Sequence, residues 1–403
     1  MLEKGKKNNL LLFVFLLITV IIAVAFLARV NSNVAEGMKN LASNKLDMGD
    51  SLETRTIFDT FSYGRSIHIL AMLLVGFGFL MTFMKDHGFT SITATFLAVS
   101  ISIPVYMLIK SMGSGDFVKD VISMDSFLCA EFAAASLLIA MGAVLGKLNL
   151  DQYFVMALIF VPAYIFNEWL ILDSGLFKGF MDVGGSVVIH AFGAYFGMGM
   201  ITATAGKFGE KSTCETDKIS TMLCLLGSMV LWIFWPSFTS AVVPADHAIL
   251  TSINTVFALC GSTIATYIFS KAIRGKIEID DIANAALAGG VAIGSVCGST
   301  NPGFAMIIGI LAGSLSTIGY TVIQPKVEKF LKGTDSCGVH NLHGMPGILG
   351  GISAVFITGN IKSQLLGILV TLAVAFVCGK ITGIITGFVG TKKDLYKDEE
   401  DFL

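Results

Sequence analysis

Long apolar runs of about 20 residues dominate the chain, and charged or Pro- and Gly-rich breaks separate them. A helix needs about 20 apolar residues to cross the hydrocarbon core of a bilayer. Only 14% of the residues are charged, whereas soluble proteins carry about 25%. The sequence therefore predicts an all-α polytopic membrane protein, with residues 1–403 forming a single membrane domain.

Twelve such runs can be counted. The predicted spans are residues 10–29, 66–84, 91–110, 126–146, 150–171, 182–203, 219–242, 249–270, 281–298, 302–323, 338–357 and 364–389. The first run follows a basic leader, MLEKGKKNN, which also fits the start of a signal peptide. The fold is therefore expected to have 11 or 12 transmembrane helices, depending on whether residues 10–29 are retained or cleaved.

Lysine and arginine residues concentrate in alternate loops, which predicts the orientation of the chain. The predicted inner loops contain, for example, Lys147, Lys207, Lys271 and Lys326. With these loops inside, the C-terminal tail after residue 389 is cytoplasmic. We expect a multi-pass protein of the plasma membrane, the inner membrane of the cell.

One motif, D-x2-G-x4-H-x6-G, occurs twice. The two copies are DVGGSVVIHAFGAYFG at 182–197 and DSCGVHNLHGMPGILG at 335–350. The chain has only six histidines. A coincidental match at two of them is therefore the weaker interpretation. An acid and an imidazole are rare in apolar segments, and we take the two copies as the candidate functional centre.

The predicted topology places five membrane crossings between the two copies, so they enter the membrane from opposite sides. Each histidine follows its aspartate by eight residues, about 12 Å along a helix, which brings both near the middle of a core about 30 Å thick. This arrangement is typical of an inverted repeat with its site at the midplane. We expect two inverted five-helix repeats at 66–203 and 219–357, followed by the last helix and tail at 364–403.

His190 and His343 are the residues we expect to carry the chemistry, because two neutral imidazoles can hydrogen-bond to each other and present polar edges to a lumen. Asp182 and Asp335 fit helix N-caps better than a proton relay. The role of His340, three residues before His343, stays open between structure and function.

Two acids, Glu131 and Glu168, lie near the predicted outer ends of their spans. An acid in an outer vestibule would concentrate cations; an interfacial carboxylate facing water is the alternative. The spacing alone assigns Phe132 and Phe238 to packing. The aromatic residues Tyr164, Trp232 and Trp235 fit either the core or an interfacial belt.

Several classes of function are not supported by the sequence. There is no Walker motif, no C-x2-C pair and no segment basic enough for nucleic acid. We therefore expect no cofactor, no metal site and no enzymatic activity. Transport would be passive or driven by an ion gradient.

The two histidine stretches resemble those of the Rhesus (Rh) branch of the ammonium transporter superfamily, of a bacterial type. Further matches are GAVLGK at 142–147, FNEWLIL at 166–172, LWIFWPSF at 231–238 and NAALAGGVAIG at 284–294. They follow the order found in the family, and the resemblance covers residues from about 60 to 390.

The resemblance implies a homotrimer in membrane lipid, with one narrow hydrophobic channel in each subunit. By resemblance, the twin pore histidines are His190 and His343, the outer phenylalanine gate is Phe132 and Phe238, the paired acids are Asp182 and Asp335, and the outer vestibule contains Glu168 and Glu131.

The implied function recruits ammonium outside and conducts neutral ammonia, with methylammonium as a further substrate. Carbon dioxide conduction and proton-coupled electrogenic ammonium transport are alternatives within transport. A membrane sensor or scaffold is an alternative from another class.

Overall fold

The computed structural model describes residues 49–112, 123–204, 216–390 and 394–403. Within these ranges, helices are the only regular elements. The predicted span 10–29 lies outside the described residues. The all-α fold class expected from the apolar runs is confirmed.

The α-helices are α1 Gly49–Ala71, α2 Gly88–Met112, α3 Met124–Ala143, α4 Leu150–Glu168, α5 Phe192–Thr204, α6 Lys218–Thr239, α7 Ala248–Arg274, α8 Ile279–Asn284, α9 Ala288–Ile293, α10 Pro302–Ile318, α11 Gln324–Leu331, α12 Met345–Thr358 and α13 Ile361–Val389. Short helical turns join α1 to Phe83, α8 to α9 and α9 to Val296, so several of these helices combine into longer rods.

Ten rods in the described part of the chain are long and apolar enough to cross a membrane. Each corresponds to a span expected from the apolar runs, with ends that differ by up to eight residues. The predicted span 338–357 corresponds to a further helical run, His340–Gly344 continued by α12. The chain is therefore a multi-pass membrane protein.

Burial divides the rods into inner and outer ones. In α3 and in the rod Ser186–Ala203, 83% of the apolar 18-residue segment is buried, whereas in α2 and α6 only 33% of it is buried. The inner rods are rich in alanine and glycine, which let helix backbones approach closely in lipid. The first histidine stretch belongs to this inner group, and His343 of the second stretch is itself buried.

Several rods contain π-helical turns, in which hydrogen bonds span five residues rather than four. These turns are Met72–Phe77, Trp169–Asp173, Ser186–Ala191, Gly319–Ile323 and His340–Gly344. A π-turn rotates the side chains that follow it and occurs often at functional sites. Both histidine stretches begin in such a turn, which the sequence pattern alone did not predict.

The C-terminal tail docks against the ends of α2 and α3. The Asp398 carboxylate accepts hydrogen bonds from the Phe89 and Thr90 backbone N–H groups, at 3.0 and 2.9 Å. The Tyr396 N–H donates to the Gly146 carbonyl at 2.9 Å. Because an acid at a helix N-terminus satisfies free N–H groups and complements the helix dipole, Asp398 stabilises the start of α2.

His87 lies in the same cluster, in the loop before α2, and its side chain is buried. Its Nε2 accepts a hydrogen bond from the Gly146 N–H at 3.1 Å, which requires a neutral ring at that nitrogen. Burial lowers the pKa of His87 to about 4 against the opposing effect of Asp398.

Acidification is therefore expected to destabilise the folded protein through His87. Between the ordinary pKa near 6.5 and about 4, the unfolded state binds more protons at this residue, so stability decreases as the pH falls. The loss is complete below pH 4 and reaches about 3 kcal/mol. Thermal unfolding in detergent between pH 7.5 and 4 should show a steeper decline for the wild type than for His87→Gln; parallel declines would contradict it.

Candidate functional site: paired histidines in an aromatic column

His190 and His343 lie face to face in the protein interior. Their ring planes are 9° apart with centroids 5.4 Å apart, and their Nδ1 atoms are 3.3 Å apart. Both side chains are 3% exposed. The structure therefore brings together the two histidines of the repeated motif, which are 153 residues apart in the chain.

A hydrogen bond between the two Nδ1 atoms requires opposite tautomers in a neutral pair. One ring donates its Nδ1–H and keeps a bare Nε2, while the other accepts at Nδ1 and keeps an Nε2–H. The pair thus offers one acceptor and one donor at its outer edges. The Nε2 of His190 is buried and has no hydrogen-bond partner among the described residues.

The two histidines are placed by the same local structure. Each stretch has an aspartate, a glycine in the left-handed region (Gly185, φ 75°; Gly338, φ 66°) and a π-turn that contains the histidine. The His190 N–H donates to the Gly185 carbonyl at 3.0 Å, a five-residue hydrogen bond. The left-handed conformation needs glycine, which explains why the motif has one at this position.

Asp182 caps the first of these helical turns. Its carboxylate accepts from the Val187 N–H at 2.9 Å, from the Val188 N–H at 2.7 Å and from the Ser295 hydroxyl at 2.5 Å. Ser295 belongs to the broken rod that runs from α8 to Val296. Asp182 therefore joins the histidine turn to a neighbouring rod as well as capping it.

Asp335 caps the second turn with fewer bonds. Its Oδ2 accepts from the His340 N–H at 3.0 Å, whereas its Oδ1 is buried without a partner in the part of the chain that the structure describes. The geometry of both aspartates agrees with N-caps, the interpretation that the sequence favoured. A proton relay stays the alternative interpretation of the two aspartates.

Variants at Asp182 should distinguish its role as a helix cap from a role in proton transfer. Asp182→Asn keeps an oxygen acceptor, so we expect a folded protein that conducts within about tenfold of the wild type. Asp182→Ala leaves buried N–H groups unpaired, at about 1–3 kcal/mol each, and should greatly reduce the yield of folded protein. The measurements are monodispersity in detergent and flux in liposomes. An Asn variant that folds normally and conducts nothing would favour the relay.

Phe132 and Phe238 lie against each other beside the histidine pair. Their ring centroids are 4.6 Å apart with an angle of 54°, and the ring of Phe238 is 5.9 Å from that of His190. On the other side, Phe77 is 6.3 Å from His343. The five rings form a continuous column, although their spacing in the sequence gave no sign of it.

Trp235 is a site residue that the sequence did not single out. Its ring stacks on His190 at 5.6 Å and 20°, and its Nε1 has no partner among the described residues. A Cβ on Gly290 would lie 2.5 Å from the Trp235 ring, so this glycine makes room for it. Trp235 and Tyr164 are both 1% exposed. The interfacial-belt interpretation is therefore wrong for these two residues.

A cavity of about 210 Å³ is lined by His343 and not by His190. Its lining also includes the apolar side chains of Phe77 and Leu342 and the polar side chains of Gln324 and Asp280. The cavity therefore adjoins one member of the histidine pair.

The two acids predicted for the outer vestibule have different surroundings. The Glu168 carboxylate accepts from the Tyr106 hydroxyl at 2.7 Å and forms an ion pair with Lys110 at 3.2 Å. Glu131 is fully buried and accepts from the Ser66 hydroxyl at 2.9 Å. Neither carboxylate presents an unpaired charge to the outer solvent in this structure, and their vestibule role stays a prediction.

His340 lies beside the pair without joining it. Its ring packs edge-on against Tyr195 at 5.7 Å, and its Nδ1 has no partner within the described ranges. No group of His, Cys, Asp and Glu in those ranges could hold a metal ion.

The sequence matches the family model of the Ammonium Transporter Family over residues 60–401. This range includes both histidine stretches and every element of the aromatic column. The chain belongs to the ammonium transporter family. Its relatives in that family are named as transporters.

Among these relatives, ammonium transporter Rh type B-B of Xenopus laevis is 40% identical over 314 residues, covering 75% of this chain and 67% of the relative. Ammonium transporter Rh type B of Danio rerio is 37% identical over 357 residues, covering 80% and 76%. The resemblance to the Rh branch is therefore confirmed.

The solved structure of Nitrosomonas europaea Rh50, from the Rhesus family of channels, is 50% identical with a TM-score of 0.82, covering 85% of this chain and 92% of that chain. Saccharomyces cerevisiae Mep2, at 16% identity and a TM-score of 0.68, supports the fold alone.

Proposed function

We propose that the protein is an Rh-type ammonium channel that takes up ammonium on one side and conducts neutral ammonia past the histidine pair. The observation that carries this proposal is the column Phe132–Phe238–His190–His343, which ends at the inner cavity. Relatives named as ammonium transporters support the substrate. In this proposal Phe132 and Phe238 form the gate, and the protein is a transporter rather than an enzyme.

The apolar column favours ammonia over the ammonium ion. Moving an unpaired cation into a low-dielectric interior is very unfavourable, and the rings of the column, phenylalanines and histidines, carry no negative charge that could pair with it. Transfer of one proton from ammonium to the outer solution gives a neutral solute. Potassium has no proton to lose, so this step also provides selectivity.

Hydrogen bonds to the histidine pair offset the hydration that ammonia loses when it leaves water. Ammonia has three N–H donors and one acceptor, and the pair presents one acceptor and one donor. Their hydrogen bonds replace part of the lost hydration inside the protein. Reprotonation then takes place on the inner side, by a proton from the inner solution.

The decisive experiment uses purified protein in liposomes that enclose a pH-sensitive dye. An inward ammonium gradient should raise the internal pH faster with the protein than without it. The same liposomes should respond to methylammonium and show no potassium flux. Equal rates with and without the protein would refute the proposal.

Carbon dioxide conduction is the second candidate, because a column of buried rings also suits an apolar gas. Carbon dioxide has no N–H to donate and depends less on the histidines. Stopped-flow acidification by carbon dioxide, in the same liposomes, distinguishes the two functions. A current that follows ammonium under voltage clamp would instead favour electrogenic transport.

The assembly and orientation are part of the proposal. A stripe of exposed apolar side chains on α6 needs a lipid or protein neighbour: Ile219, Met222, Leu226, Met229 and Ile233. A homotrimer, as the family resemblance implies, would cover part of such a surface. The repeats at 66–203 and 219–357 would be inverted, and the cavity and the docked tail would face the cytoplasm at the plasma membrane.

A further inference from the structure

The outer part of α1 contacts the helix that carries the first gate residue. The Ser66 hydroxyl donates to the Glu131 carboxylate at 2.9 Å, and both side chains are fully buried. Glu131 directly precedes Phe132 in α3. This hydrogen bond therefore ties α1 to the backbone turn from which the Phe132 ring projects.

The same part of α1 contacts the helix that carries the second gate residue. Nδ1 of His68 and the Ser237 hydroxyl are 2.8 Å apart, and the His68 ring stacks on Phe234 at 4.9 Å and 21°. Ser237 directly precedes Phe238 in α6. A hydrogen bond and a ring contact together hold α6 against α1.

Ser66 and His68 point in different directions because successive residues of an α-helix are about 100° apart. Ser66 and His68 are two residues apart, so their side chains point about 200° apart around α1. Each can therefore face a different neighbouring helix. We propose that Ser66, His68, Glu131 and Ser237 form a gate strut, which sets the distance between the Phe132 and Phe238 rings. The inference rests on the proposed role of these two rings as the gate.

The ring contact alone would not set that distance. Aromatic pairs are favourable over centroid distances of about 4.5–7 Å, and the two rings lie near the lower end of this range at 4.6 Å. The ring contact thus leaves the spacing of the two helices open to contacts outside the ring pair. Each hydrogen bond of the strut acts one residue away from a ring.

The strut also gives Glu131 a role that fits its surroundings. A carboxylate that collects ammonium from water needs a face exposed to water, and Glu131 has none. Its contact with Ser66 makes it a positioning residue. The acid acts through the placement of Phe132 rather than through contact with the solute.

The test compares methylammonium and ammonium fluxes in the same liposomes, because their ratio does not depend on the amount of folded protein. Ser66→Ala and Ser237→Ala each remove one bond of the strut. A gate held by one fewer net hydrogen bond changes its open population by about fivefold. We expect each variant to raise the flux ratio of methylammonium to ammonium by about that factor, and the double variant to raise it further.

Two further variants serve as controls. Ser102→Ala removes a buried hydroxyl that has no hydrogen-bond partner among the described residues, so its ratio should equal that of the wild type. Glu131→Gln keeps an oxygen that accepts from Ser66, and its ratio should also stay unchanged.

Ratios for Ser66→Ala and Ser237→Ala that equal the Ser102→Ala ratio would overturn the strut. An equally large change in Glu131→Gln and Ser66→Ala would show that charge, not position, matters at residue 131. If the wild type conducts neither solute, the proposed function fails rather than the strut. If Glu131→Gln does not fold, the two serine variants still decide the question.

Discussion

Ammonia flux through the double variant His190→Leu, His343→Leu is expected to fall by at least about tenfold. Leucine approximates the volume of the imidazole but offers no hydrogen bond. Ammonia would then cross the column without the donor and acceptor that the pair supplies. Each polar group left unpaired in a buried site is unfavourable by about 1–3 kcal/mol, and 1.4 kcal/mol corresponds to a factor of ten in rate.

Carbon dioxide provides the internal control for the leucine variant. It makes no use of the donor and acceptor pair, so its flux should stay within about twofold of the wild type in the same liposomes. His247→Gln is a matched control for histidine replacement, since His247 is half-exposed and its ring hydrogen-bonds to the Gly298 carbonyl, away from the column. Normal ammonia flux in the leucine variant would remove the histidines from the mechanism.

The positions of the helices could be predicted from the sequence because one physical effect dominates them. Every backbone group must be satisfied within the membrane, so an apolar run of about 20 residues becomes a helix. The predicted run 126–146 and the observed Met124–Ala143 illustrate the agreement. No tertiary information was needed at this level.

The breaks within helices could not be predicted in the same way. The rod from Ile279 to Val296 alternates α-helix with tighter turns. Its freed backbone groups find partners in the histidine stretch: the Ser186 hydroxyl donates to the Val291 carbonyl at 2.7 Å and accepts from the Ser295 N–H at 2.8 Å. Such partners are more than 100 residues away in the chain and leave no local signal.

The site likewise contains some residues that could be predicted from the sequence and others that could not. The histidine pair was predictable because the motif is repeated and histidine is rare in apolar runs. Trp235 has no counterpart in a repeat, and its position on His190 depends on how α6 crosses the inner helices. Likewise, Lys110 and Glu168 are 58 residues apart, and only the packing of α2 against α4 shows that they pair.

Glycine lets helix backbones approach closely in lipid, and the structure shows where such an approach is closest. α5 and α13 cross at Gly199 and Gly379. A Cβ on Gly199 would overlap the Phe376 carbonyl oxygen, and a Cβ on Gly379 would overlap the Phe196 carbonyl oxygen. Each helix thus presents a glycine to the backbone of the other. α5 also carries the continuation of the His190 turn, so this crossing supports the site.

Gly379→Ala is expected to destabilise the protein by roughly 3 kcal/mol, at the upper end of the range for overpacked cores. The added methyl group meets backbone atoms, which cannot rotate away as a flexible side chain can. The two helices would have to separate along their crossing, with loss of contacts on both sides. Thermal unfolding in detergent and the monodisperse fraction measure the effect.

Gly64→Ala is the matched control, because Gly64 lies in α1 and nothing lies within 4 Å of the position that its Cβ would occupy. Alanine is favoured over glycine within a helix by about 0.5–1 kcal/mol, so this variant should be as stable as the wild type or slightly more so. The same glycine-to-alanine change is then expected to lower stability at residue 379 and to keep or raise it at residue 64. Equal stability of the two variants would show that the close crossing of α5 and α13 contributes little. A large loss confined to Gly379→Ala would instead show that this backbone contact holds the His190 helix in place.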